Sequence, residues 1–220
     1  MVKSWAAYET FKQSLIQSTH FFSSGELKQR LLHKSNIPVD IIPYGQIADA
    51  KQEIHWPGTQ QLSTQSTMSV KGYIETSRHL LDFRISESIT IQIPTACAQF
   101  LLKLLAWHDN PNRKHDAQDI DFILQNYLQP DNLERLFEEH NDLITEQFDT
   151  TIAGAEILGR DLKNICPEDL RLLIIQILSN SVKSGSAHKL AVSMIQAFDN
   201  LDKVLESKLC LLQAVMRGLS

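Results

Sequence analysis

The chain has 220 residues, a net charge of −5 and an isoelectric point near 5.9. Hydrophobic residues make up 43% and charged residues 21% of it, the composition of a globular protein with one large domain or two small ones. The acidic balance argues against a protein that coats nucleic acid by bulk electrostatic attraction, although it leaves room for a local basic patch.

The three cysteines, Cys97, Cys166 and Cys210, are far apart and form no Cys-x-x-Cys pair. This pattern predicts reduced, mostly buried thiols and a cytoplasmic protein. The N-terminus lacks the long apolar segment of a signal peptide. No apolar stretch approaches the roughly 20 residues that a membrane span needs, so we expect no membrane partner.

The first part of the chain predicts one helix followed by several short strands. Apolar residues at helical spacing predict an amphipathic helix over about 4–18. Extended segments follow at Phe21-Phe22, 27–33 and 37–43. The polar stretch 44–66 predicts a long loop that holds one short strand over 53–56.

Two further elements complete this N-terminal part. A helix is predicted over 70–81, and isoleucines that alternate with polar residues over 85–93 predict a half-buried strand. After Pro94 every element is helical, and the last two helices are predicted over about 187–205 and 206–217. We therefore predict an α+β fold with an α/β domain over 1–94 and a helical domain over 95–220.

The stretch IPVDIIPYG places one carboxylate, Asp40, inside a short apolar strand with proline on both sides. Proline cannot donate to a strand ladder, so it is typical of an edge strand or a strand end. Asp40 is then either a solvated edge carboxylate or a metal ligand or general base that faces a cleft. Its spacing alone leaves both interpretations open.

A second group of charged residues lies in the predicted helices after Pro94. Lys103 lies in the apolar run FLLKLLAWH, where a lysine either extends to the surface or meets an anion. In KHDAQDID, Asp116 and Asp119 share a helix face and Asp121 is rotated away, with Arg113 just before them. These acids either stabilise the start of the helix or belong to a phosphate- and metal-handling site next to Lys103.

Other catalytic motifs give weaker signals. His115-Asp116 is the kind of pair that metal-dependent HD phosphohydrolases use, and His79, His108 and His140 are the available partners, but their spacing does not support such a site. No Walker-type loop, G-x-G-x-x-G, G-x-S-x-G or H-E-x-x-H occurs.

Three segments resemble a known family: WAAYETFKQSL, RLLHKSNIPVDIIPYGQIADAKQEIHWP and LLKLLAWHDNPNRKHDAQDIDFILQNYL. They are similar to the predicted nucleotidyltransferases of the abortive-infection toxin type (AbiEii-like), which are described in viral defence and toxin-antitoxin systems. The resemblance extends over about 1–163. It implies a nucleotidyltransferase fold, with a mixed sheet and a helical C-terminal region, that moves a nucleotide from a nucleoside triphosphate to an acceptor such as tRNA or a protein.

The resemblance also implies roles for individual residues. Asp40 would bind Mg²⁺ or act as base toward the acceptor, and Lys103 would be the catalytic lysine that meets the nucleotide. Asp116 would orient that lysine, with Asp119 and Arg113 also at the nucleotide. An antitoxin protein would be a partner.

The sequence departs from the family pattern in two respects. No Gly-Ser turn followed by an Asp-x-Asp strand precedes Asp40, and His115 stands where an Arg or Lys is expected before Asp116. We therefore expect an incomplete nucleotidyltransferase core that transfers no nucleotide alone. The alternative is a non-catalytic remnant that binds a nucleotide, RNA or a protein. The missing strands predict self-association through an exposed sheet edge.

Overall fold

A computed structural model describes residues 2–25, 27–57, 67–183, 188–196 and 201–220. The chain forms two compact units, Met1–Ile74 and Glu75–Ser220. Small antiparallel sheets come first and a large helical region follows, which confirms the predicted α+β class. The predicted domains, 1–94 and 95–220, remain a prediction, since contacts within one chain do not test independent folding. No described helix has both the length and the apolar character needed to cross a membrane.

The described part of the chain contains nine α-helices. Their bounds are α1 Trp5–Gln17, α2 Tyr73–Thr76, α3 Ala96–Asp109, α4 Lys114–Asn126, α5 Pro130–Glu138, α6 Thr150–Ile165, α7 Glu168–Val182, α8 Lys189–Met194 and α9 Leu201–Leu219. A short 3-10 helix, Asn141–Leu143, lies between α5 and α6.

Seven short strands form three separate sheets among the described residues. Their bounds are β1 Phe21–Ser23, β2 Arg30–His33, β3 Pro38–Asp40, β4 Glu53–His55, β5 Thr67–Ser69, β6 Leu80–Arg84 and β7 Thr90–Pro94. The sheets are β1-β2-β3, β4-β5 and β6-β7, and every described pair is antiparallel. The predicted segments at Phe21-Phe22, 27–33, 37–43 and 53–56 therefore each contain a strand. Strand β1 is one residue longer than predicted, and the other three are shorter. Part of the predicted loop 44–66, residues 58–66, lies outside the described residues.

The first unit has a small aromatic core. Ser4 caps α1 by accepting a hydrogen bond from Ala7 N, and the helix then presents Trp5 and Tyr8 to Trp56, with ring centroids 5.2 and 5.7 Å from that of Trp56. The Tyr8 hydroxyl donates to the Ile41 carbonyl at 3.1 Å. Burial raises the pKa of this phenol to about 12, so Tyr8 is a structural donor.

The second unit is built around the helices α3, α4, α6, α7, α8 and α9, whose apolar faces form one continuous core. Helices α6 and α9 meet backbone to backbone at Gly159 and Gly218. A Cβ atom on Gly159 would collide with the carbonyl oxygen of Val215, and one on Gly218 would collide with that of Glu156. The absence of side chains at these two positions is therefore what lets the helices approach so closely.

The predicted helix over 70–81 is wrong for most of its length. Only Tyr73–Thr76 is helical, and Leu80–Arg84 is strand β6. Gly72 takes a φ of +80°, and turns close at Arg78 and His79 immediately after the helix. Pairing with β7 then holds the following residues in a strand, which outweighs their helical spacing.

The boundary between the last two helices is also wrong. Helix α8 is short and α9 is described over Leu201–Leu219, whereas the predicted break lay at 205–206. Leu205, Leu209 and Leu212 recur at helical spacing and pack on or within the core of the second unit, which makes one helix continuous through the predicted break. Residues 197–200, inside the predicted helix 187–205, lie outside the described part of the chain.

Candidate functional site

Helix α3 positions Lys103 in an apolar segment. Thr95 caps the helix by accepting from Ala98 N, and Leu101, Leu104 and Leu105 are buried around the lysine. The Lys103 side chain is 36% exposed. The helix therefore buries the aliphatic stem and leaves the ammonium at the edge of the core.

The first turns of α4 bring two carboxylates to this ammonium. Lys103 Nζ lies 2.6 Å from Asp119 Oδ2 and 3.3 Å from Asp116 Oδ1. The predicted shared face of these aspartates is thus confirmed by their common partner. A lysine has three N–H donors, and two of them are used by these contacts.

Asp116 is buried between two cations. Its side chain is 3% exposed, and Arg113 Nε lies 2.6 Å from Oδ2, on the opposite side from Lys103. Asp116 Oδ2 has no hydrogen-bond partner. The contact with Arg113 is therefore an ion pair by its distance, but its angle is not that of a hydrogen bond. The Arg113 side chain is 58% exposed, so more than half of it faces solvent. One buried carboxylate thereby positions two cations.

The electrostatics keep Lys103 charged. Burial lowers its pKa, but the hydrogen bonds and charges of Asp119 and Asp116 outweigh burial, and the pKa lies above its ordinary value. The ammonium therefore stays charged and cannot act as a base near neutral pH.

The remaining acidic residue of this segment has a different environment. Asp121, predicted to be rotated away from Asp116 and Asp119, lies 2.7 Å from Lys208 Nζ of α9, and both side chains are largely buried. That pair links α4 to α9 and is separate from the Lys103 cluster. His115, next to Asp116, is exposed.

Asp40 lies in the first unit with a partner of its own. Arg30 donates from Nε and Nη2 to both Asp40 oxygens at 2.8 Å, directly across the β2-β3 pair. Each side chain is 37% exposed. The hydrogen bonds from Arg30 hold the pKa of Asp40 below its usual range, although burial opposes them. Both oxygens of the predicted metal ligand are therefore engaged by a guanidinium.

A different set of side chains has the spacing of metal ligands. Asp49, Glu53 and His55 each offer one ligand atom within 4.8 Å of the others, and no further set of this kind occurs among the residues that the structure describes. Asp49 also accepts from the backbone of Lys51 and Glu53 and contacts His55 Nε2 at 3.1 Å. This cluster was not predicted from the sequence, because its residues meet only through the turn between Asp49 and strand β4. The one available signal was their i, i+4, i+6 spacing.

The residues of a metal-dependent HD phosphohydrolase are not gathered in the described structure. The cluster of possible metal ligands among the described residues contains neither His115 nor Asp116. His140 instead contacts Arg160 Nη1 at 3.1 Å. Burial and the nearby arginines lower the pKa of His140.

Comparison with known proteins gives one match. Residues 62–199 match the family model of the nucleotidyl transferase AbiEii toxin of type IV toxin-antitoxin systems. No curated protein and no solved structure matches the chain. The matched range overlaps the predicted resemblance over 62–163 and extends into the C-terminal helices. It contains Lys103, Arg113, Asp116 and Asp119, and more than half of the sequence. The chain therefore belongs to the AbiEii family of nucleotidyl transferase toxins.

Proposed function

We propose that Lys103 and Arg113 bind the phosphates of a nucleoside triphosphate in a nucleotidyltransferase-like toxin. The observation that supports this is the buried Asp116, which lies between the two cations and contacts both. A lysine that merely extended to solvent would need no such partner. Asp119 holds the ammonium from a second side, so the charge is oriented before an anion arrives.

Preorganised positive charge is useful in nucleotidyl transfer, since negative charge develops on the phosphates as the bond to pyrophosphate breaks. Lys103 keeps one donor beyond its two carboxylate contacts, and Arg113 offers its solvent-facing N–H groups. We assign Lys103 the catalytic role of stabilising that charge. Asp116 positions Lys103 and Arg113, and Asp119 supports Lys103.

The family implies a divalent metal ion, Mg²⁺ in the sequence prediction. Such an ion would hold the triphosphate and stabilise its oxygens during transfer. In the arrangement seen here Asp40 does not form a magnesium site, because one carboxylate with both oxygens on Arg30 leaves the metal no free ligand. Asp40 remains the predicted ligand and base, and binding a metal there would require it to release Arg30. The Asp49-Glu53-His55 set includes an imidazole, which suits zinc better than magnesium.

The chemistry of the acceptor and the partners follows from family membership alone. We propose a tRNA or protein acceptor, an antitoxin partner and a cytoplasmic location, the last supported by three free cysteines. We further propose that the chain binds the triphosphate but transfers no nucleotide alone, and would then be a binding module. Mg²⁺-dependent labelling of RNA or protein by the purified chain, from a labelled triphosphate, would refute this second part.

Equilibrium binding of the four nucleoside triphosphates, measured by titration calorimetry, tests the proposal. Lys103→Ala should weaken binding by about tenfold or more, the loss expected when one charged contact is removed. Lys114→Ala is the matched control, since Lys114 is exposed at the start of α4, the helix that carries Asp116 and Asp119, and has no part in the cluster. Equal binding by wild type and Lys103→Ala would contradict the proposed site.

A further inference from the structure

The β6-β7 hairpin carries an apolar face that the proposed function does not use. Leu81 pairs with Ile93 and Phe83 with Ile91, and the Ile85 amide donates to Ile89 at the hairpin end. Because side chains alternate across a strand, these positions all lie on one face. Five of the six are 41–57% exposed: Leu81, Phe83, Ile85, Ile89 and Ile91.

The opposite face of the same hairpin is polar toward the turn, whereas Leu80 and Pro94 form an apolar pair at its other end. Asp82 accepts a hydrogen bond from Gln92 across the strands at 3.2 Å, and Arg84 donates to the carbonyls of Ser86 and Glu87 in the turn. All the charges of the segment 80–94 are therefore on this polar face or in the turn. They sum to −1, from Arg84 against Asp82 and Glu87, which gives no attraction for nucleic acid or an anionic membrane.

The hairpin has few stabilising strand contacts, although it exposes a large apolar surface. Among the described residues β6 and β7 pair only with each other, and an isolated two-stranded hairpin is marginally stable in water. Large apolar side chains present roughly 150–250 Å² each, so five that are half exposed offer on the order of 500 Å². Apolar patches of this size commonly mark an interaction surface.

We propose that a second copy of this chain covers the apolar face, with the two hairpins stacked face to face about a two-fold axis. A two-fold axis places the same surface on both sides, and this surface matches itself because it is apolar throughout and carries no charge. The contact would bury on the order of 1,000 Å² in total, which is the lower limit for a specific interface. This surface differs from the sheet edge predicted from the sequence, and it does not depend on the proposed nucleotide site.

Sedimentation equilibrium of the full chain tests the proposal. Wild type should shift from a 25.0 kDa monomer to a dimer as concentration rises. The double variant Phe83→Thr, Ile91→Thr keeps good strand residues but removes the centre of the apolar face, and should weaken the dimer by about tenfold or more. The matched control, Asp82→Thr with Gln92→Thr, changes the adjacent cross-strand pair on the polar face and should leave the dimer intact.

Two results would overturn the proposal. One is a monomeric mass for wild type up to several hundred micromolar, and the other is equal weakening of the dimer by the two double variants. Cross-linking gives an independent measurement in a Cys210→Ser background, since Cys97 and Cys166 are buried. A short bismaleimide should link Ile91→Cys to its own copy but not Gln92→Cys, and cross-linking of both to the same extent would count against stacked faces.

Discussion

The ammonium of Lys103, on α3, lies 2.6 Å from Asp119 Oδ2, on α4, and 3.3 Å from the buried Asp116 Oδ1. The two helices are joined by the short loop 110–113 and pack against each other. The cluster is thus assembled within one local helix-loop-helix segment. Its charge state and its contribution to stability can be tested by changing single residues.

Triphosphate binding through Lys103 should be independent of pH between about 7.5 and 9.5. The pKa of Lys103 is raised, so the folded protein keeps the ammonium charged throughout a range that lies below the ordinary lysine value of about 10.4. Calorimetric titrations across this range measure the affinity, with Lys103→Arg as the permanently charged reference. If wild-type affinity fell at the upper end while that of Lys103→Arg did not, Lys103 would be titrating and its pKa would be lowered.

Asp116 should matter more for stability than Asp119, although both contact Lys103. We expect Asp116→Asn to lower the free energy of unfolding by roughly 1–2 kcal/mol, since it removes a buried charge that holds two partly exposed cations. Asp119→Asn should cost less than about 1 kcal/mol, because its side chain is 50% exposed. Urea unfolding of both variants measures these two losses. A larger loss for Asp119→Asn than for Asp116→Asn would show that Asp119 contributes more to the ion pairs with Lys103.

The Lys103 cluster illustrates how much the sequence could predict. The i, i+3 spacing of Asp116 and Asp119 fixes their common face, because that relation depends on helix geometry alone. Arg30 as the partner of Asp40 was not predicted, since their pairing depends on the register that the turn before β3 sets. Alternating isoleucines predicted a half-buried strand over 85–93, of which only the part from Thr90 belongs to β7. Alternation cannot tell whether the apolar face is covered, and Ile89 and Ile91 are exposed.

A partly buried network in the second unit should contribute more to the free energy of unfolding than the exposed ion pair beside it. Arg135 donates from Nη1 and Nη2 to the two Asp161 oxygens at 2.9 and 2.8 Å, and the Tyr127 hydroxyl donates to the same carboxylate at 2.5 Å. We expect Asp161→Asn to cost about 2–3 kcal/mol and Tyr127→Phe about 1 kcal/mol.

Urea unfolding measures both costs, and Glu139→Gln is the control for this network. Glu139 also contacts Arg135, at 3.2 Å, but its side chain is 53% exposed, so the change should cost less than about 0.5 kcal/mol. If Glu139→Gln lowered the free energy of unfolding as much as Asp161→Asn, the burial of the Arg135–Asp161 pair would add nothing to stability.

Asp40 should contribute to stability only at less acidic pH. Its pKa is lowered by the hydrogen bonds from Arg30, so the contribution is present above the unfolded pKa of about 3.9 and is lost as the pH falls through the folded pKa. The side chains are 37% exposed, which limits the contribution to about 1 kcal/mol or less. Unfolding followed by tryptophan fluorescence should show wild type and Asp40→Asn converging below about pH 4, and a difference that persists into strong acid would contradict the ion pair.

The glycine contact between α6 and α9 limits how this protein can evolve. A substitution at Gly159 meets the main-chain oxygen of Val215, and one at Gly218 meets that of Glu156. Because every residue has that oxygen, no change of side chain at Val215 or Glu156 can relieve the collision. Second-site suppressors of Gly159→Ala should therefore be absent from Val215 and Glu156, and reversion to glycine should be the main route back to the native helix packing.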